Sequence, residues 1–103
     1  MTDPARFVWK LARRHTWGSP IPEQELLRLV ARNEDHDELR ETLEDDVLTL
    51  SFVTRGQNGV YIPNGQDMHL EAAEWLRENT ELSDLKIKHT LSRLPDDWPD
   101  GRF

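Results

Sequence analysis

The residues that could do chemistry in this chain are its carboxylates, its four histidines and a lopsided set of bases. Asp67, His69 and Glu71 lie close enough in sequence to suggest a metal site. On a helix, however, residues two apart point to different sides, and no second histidine stands three or four positions away. The cluster therefore reads as a surface group at a helix start. His36, between Asp35 and Asp37, reads as a capping neighbourhood; His15 ends a helix, where the dipole favours positive charge; His89 sits on a polar face. Ser19, Ser51, Ser83 and Ser92 have no local setting that would activate a nucleophile, and no glycine-rich phosphate loop is present. Twenty Asp and Glu in 103 residues make a close carboxylate pair inevitable, so proximity alone would not indicate acid–base catalysis. With no cysteine there is no disulfide, thiolate metal site or cysteine nucleophile. The expectation is a non-enzymatic binding protein with no cofactor and no metal.

Charge narrows the partners. The net charge of -7 excludes a uniformly basic nucleic-acid binder but leaves room for a locally basic face. Ten bases are arginine and only Lys10, Lys86 and Lys88 are lysine. Many acids with arginine preferred over lysine is the balance of a halophilic proteome, in which molar salt shrinks the Debye length to roughly 3 Å. The longest apolar runs are four or five residues, too short to cross a membrane, and no secretory leader is visible. A cytoplasmic location is expected.

The elements that must position these groups can be read along the chain. Asp3 and Pro4 open a first helix in which Phe7, Val8, Leu11, Ala12 and His15 share a face and Lys10, Arg13 and Arg14 lie off it. Gly18 closes it, and residues 19–22 are extended because of their prolines. A second helix begins at Pro22 with Leu26, Leu27, Leu29 and Val30 on its apolar side. Asp35 and Glu38 have capping-box spacing and start a third helix ending near Asp46, with Leu39 and Leu43 inward. Residues 47–54 alternate and predict a strand; Asn58-Gly59 predicts a tight turn and residues 60–62 the returning strand. A fourth helix spans residues 67–79 with Met68, Ala72, Trp75 and Leu76 on one stripe. A last one, capped by Ser83, carries Ile87, Leu91 and Leu94. Residues 1–94 form one domain in this reading, and residues 95–103 an acidic tail containing tryptophan and proline.

This order of helix, short extended segment, two helices, hairpin and helix over residues 7–76 resembles a winged helix-turn-helix domain. The stretch from Phe7 to His15 followed by Trp17-Gly18-Ser19-Pro20-Ile21-Pro22 is also similar to small winged-helix proteins of halophilic archaea. The resemblance implies an α+β fold, a three-helix core plus a hairpin wing, with additional C-terminal helices. It also implies a small DNA-binding transcriptional regulator whose third helix enters the major groove. The third helix itself points the other way. Residues 34–46 hold eight carboxylates against the single base Arg40, which duplex phosphates would repel. Double-stranded DNA would have to be held by Arg55 at the wing tip, with Arg13, Arg14 and Lys10 as phosphate contacts. Those arginines could equally pair with the acids of the third and fourth helices. The alternative function is a winged-helix interaction module in which the acidic third helix meets a basic protein partner and no DNA is bound.

Four tryptophans are many for a domain of this size. Trp75 lies on the fourth helix's apolar stripe, whereas Trp9 lies off the main face of the first helix and Trp98 stands in the acidic tail. Exposed tryptophans favour interfaces. One arrangement is a homodimer through Trp9, Trp98, Ile87 and Leu91; the other folds the tail back so that Trp98 covers Trp9 or Trp17 in the same chain.

Overall fold

In the computed structural model the described residues are 2–13, 20–30, 36–63, 65–91, 94 and 98. They form an α+β arrangement of five α-helices and a two-stranded antiparallel sheet. The first helix, α1 (Asp3–Arg13), starts one residue earlier than expected. Thr2 rather than Asp3 lies before it, its Oγ1 accepting from the Ala5 N–H at 3.4 Å. α1 is the central element. It packs against α2 (Glu23–Val30), α3 (His36–Thr42), the turn that follows α3, and α4 (Gln66–Asn79). Ala5, Phe7, Val8, Trp9, Leu11 and Ala12 are all buried as a result. A single apolar stripe describes a helix covered on one side only; a helix flanked by several others buries more of its circumference. That is why Trp9, expected off the main face, is 9% exposed and part of the core.

The third helix does not run as α-helix to Asp46. After Thr42 it widens into a π turn, Leu43–Val47, closed by the Leu48 N–H donating to the Leu43 carbonyl at 2.9 Å. Leu43 and Val47 are buried at the two ends of this turn, and Glu44, Asp45 and Asp46 between them are exposed.

The expected strand over residues 47–54 is corrected. Leu50 N–H donates to Val47 and Val53 N–H to Leu50, so this stretch is a run of turns. The strand β1 is only Thr54–Gly56, paired with β2 (Gly59–Tyr61) in the register Thr54 to Tyr61, Arg55 to Val60 and Gly56 to Gly59. Pro63 lies just beyond β2 and has no N–H to extend a ladder, so residues 47–53 have no strand to pair with. The hairpin loop is Gln57-Asn58, one position earlier than the Asn58-Gly59 signal suggested, and Gly59 alone takes the positive φ, +136°. Arg55 is therefore in the strand and not in the loop. Ile21 adds a third, single-residue rung: its N–H and carbonyl both bond to Val60 at 2.9 Å.

α4 buries His69, Ala72, Ala73 and Leu76, leaving Met68 and Trp75 half-buried. The stripe is thus rotated by one position from the expected one. His69, read from sequence as a surface residue, is 0% exposed. The last helix, α5 (Asp84–Thr90), is capped by the Ser83 hydroxyl, which accepts from the Lys86 N–H at 3.2 Å. α5 stops before Leu91, yet Leu91 and Leu94 are buried as expected of its apolar side. Trp98 belongs to the same core at 2% exposure, and Lys88 Nζ donates to its carbonyl at 3.2 Å. Trp98, in the segment read as an acidic tail, thus contributes a side chain to the core of its own chain.

Candidate functional site

The surface most distinct in chemistry is built by α3 and its π turn. Asp37, Glu38, Glu41, Glu44, Asp45 and Asp46 are all exposed, because Leu39, Leu43 and Val47 take the inward positions. Asp3 at the start of α1 joins Glu38, Glu41, Thr42, Asp45 and Asp46 around a shallow basin of about 350 Å³. Its carboxylates are spread around the rim. Among the described residues no three His, Asp or Glu side chains converge on a point where a metal ion would sit. At the basin's edge Arg6 Nη1 lies 3.5 Å from Asp3 Oδ1.

Arg55 stands beside this surface, and its guanidinium is shared. Nη2 bonds both to Glu23, in the first turn of α2, and to Glu44, in the π turn; Nη1 reaches Glu44 Oε2 at 3.3 Å. Hydrogen bonds to Glu44 first and Glu23 second push the guanidinium further above its already high pKa, so it stays charged at any working pH. Two carboxylates on one guanidinium leave the triad with net negative charge. A phosphate approaching Arg55 meets that sum and not a free cation. Glu23 lies 32 residues from Arg55, in the first turn of α2, where a carboxylate also suits the helix dipole. Nothing local in the sequence signals the Glu23 pairing; it exists because the fold brings Arg55 of β1 within reach of the start of α2 and of the π turn.

The triad ties three elements together, but all three side chains are 41–45% exposed. Pairs so accessible to water are screened, and each is worth at most about 1 kcal/mol. Arg55→Ala should therefore lower the thermal midpoint by only a few degrees, with the difference shrinking between low and high KCl. A loss much larger than that, persisting in high salt, would show that the hairpin depends on the triad.

The other positions expected to contact DNA are dispersed. Arg13 is exposed at the end of α1, where a cation suits the helix dipole, and Lys10 is half-buried one turn earlier. Ten residues of helix put Arg13 about 15 Å from Asp3 along α1. Arg14 and Trp17 lie outside the described residues. Lys10 and Arg13 stand on α1, whereas Arg55 stands on β1.

The four side chains expected at a dimer interface are accounted for within one chain. Ile87 and Leu91 are 0% exposed, Trp98 2% and Trp9 9%. α5 packs on α4, and Trp98 folds back onto the same core, so these four offer almost no area to a second copy. Trp75 is the described tryptophan that keeps substantial exposure, edge to face with Phe52 at 6.3 Å. No helix among the described residues is long and apolar enough to cross a membrane. Comparison with family models, curated proteins and solved structures gives no match to this chain.

Proposed function

We propose that this chain is a winged-helix interaction module that binds a basic protein partner through the acidic surface of α3 and its π turn. Three features support the winged-helix reading: the order of elements, the hairpin after the third helix, and the Ile21 rung that gives the wing a short third strand. The observation that carries the function is the outward placement of all six carboxylates on the element that a DNA-reading member of the fold would insert into the major groove. DNA phosphates, one charge per roughly 1.7 Å of duplex, would be repelled there, whereas Lys and Arg side chains would be drawn in. The engagement of Arg55 by Glu23 and Glu44 points the same way, since it removes the cation best placed to meet a phosphate. The molecule acts by binding; Ser51 and Ser83 are occupied by Glu71 and by the α5 cap.

The test sets DNA against a cation-rich peptide. Labelled mixed-sequence duplex and labelled oligo-arginine are each titrated with the protein from about 0.1 M to about 2 M KCl, with folding followed by circular dichroism. The peptide should bind, weaken steeply with salt, and lose most of its affinity when Glu38, Glu41 and Asp45 become Gln, Gln and Asn. The duplex should not bind. Saturable duplex binding by folded protein, abolished by Arg13→Ala, would replace this reading with that of a DNA-binding regulator.

A further inference from the structure

A groove of about 490 Å³ runs along a different flank of α4, where residues 50–52 lie against it. Leu50, Phe52 and Trp75 supply apolar lining, and Glu71, Glu74 and Glu78 supply acid along the same stretch. The volume is in the range of clefts that hold a few side chains, roughly 300–1,000 Å³. Phe52 is buried and anchors Trp75 edge to face at an interplanar angle of 61°, which holds the indole in place while it stays half-exposed. The Ser51 hydroxyl donates to Glu71 Oε2 at 2.7 Å, fixing that carboxylate at the groove's edge. Glu71, Glu74 and Glu78 follow at helical spacing and cover about 10 Å of α4. Among the described residues no lysine or arginine lines the groove.

We infer that this groove is a docking site for a segment of a partner protein in which a bulky apolar side chain is flanked by Lys or Arg. Charge complementarity selects that occupant. An acidic segment or a nucleic acid would bring anions against three glutamates, and a wholly apolar segment would strip water from them without giving anything in return. A basic–apolar segment satisfies both parts. Its apolar side chain covers Leu50 and the exposed part of Trp75, and its cations pair with Glu71 and Glu78, both exposed, or lie over the indole face. This goes beyond the α3 reading, because the two surfaces share no residue.

The experiment uses the full chain and two labelled peptides of equal charge. One alternates Lys and Arg with Leu and Phe; the other replaces each Leu and Phe by Ser. Anisotropy gives affinity, and the indole N–H resonance of Trp75 in a ¹⁵N spectrum gives location. The first peptide should bind in the micromolar range, shift the Trp75 resonance and outlast the Ser control as KCl is raised, since apolar contact is not screened. Glu71→Gln with Glu78→Gln, which preserves side-chain shape, should weaken it about tenfold, and Trp75→Ala on the order of 30-fold if that chain folds. Glu38→Gln with Glu41→Gln in the α3 basin should leave the peptide-induced Trp75 shift unchanged while weakening oligo-arginine, so each surface can fail without the other. An equal Trp75 shift with the Ser control, or an unmoved Trp75 resonance with the first peptide bound, would overturn the assignment.

Discussion

Gly59→Ala should lower the thermal unfolding midpoint by roughly 12–24 °C, corresponding to about 3 kcal/mol for a domain of this size. Two independent penalties produce that figure. At φ +136° a residue with a Cβ is strained by about 1–3 kcal/mol. A Cβ built there would also lie 2.1 Å from the Ile21 carbonyl oxygen and 2.7 Å from Pro22 N, both backbone atoms that cannot swing aside. The segment at Ile21 would have to retreat, and with it the two hydrogen bonds to Val60, each worth about 1 kcal/mol. Gly65→Ala is the matched control. Its Cβ would meet nothing within 4 Å and its φ of -155° suits any residue, so stability should change by less than about 1 kcal/mol. Melting curves followed at the helical circular dichroism signal decide the matter. If both alanine variants melt together, close contact between hairpin and Ile21 does not hold in solution.

Trp98→Ala should destabilise by a similar margin, about 3 kcal/mol. A buried tryptophan removes on the order of 200 Å² from water, a gross gain near 5 kcal/mol. Part of that is offset, because the Trp98 indole N–H is buried and finds no hydrogen-bond acceptor among the described residues, a cost of about 1–3 kcal/mol. Phenylalanine discards this N–H while keeping much of the ring, so Trp98→Phe should cost clearly less than Trp98→Ala. Chemical denaturation of the two variants tests this directly. An alanine variant within about 0.5 kcal/mol of the parent would mean that the region after Leu94 is not part of the cooperative unit.

The helices and the hairpin were legible because their signals are local. Ser83 caps α5, the leucines of α2 and α3 recur at helical spacing, and a glycine that takes positive φ sits beside the hairpin loop. What escaped depends on neighbours far along the chain. The alternation of residues 47–53 is compatible with a strand, but only β2 could have paired with it, and β2 is three residues long. Trp9 and His69 are buried because α1 and α4 are covered by elements that no window of their own sequence contains. The acidic surface is visible as composition at residues 34–46, and the pairing of Arg55 with Glu44 fits the expectation that the arginines meet acids of the third helix, whereas Glu23 as the second partner of Arg55 is not visible in the sequence. Trp75 was read as core from its stripe; a rotation of that stripe by one position turns it into the wall of a groove.

The hairpin's outer strand has a consequence for how copies of this molecule meet at high concentration. β1 has β2 on one side and, among the described residues, no strand on the other, which leaves an open edge of the kind that can recruit a second chain. Three residues of antiparallel edge can form only about two new hydrogen bonds, a gain of roughly 2 kcal/mol against an association cost of at least about 4 kcal/mol. Gly56 contributes no side chain to grip a neighbour, and Arg55 with its two carboxylates places the same net charge on every copy. Brevity and charge together keep this wing from acting as a template for polymerisation, even in a crowded solution.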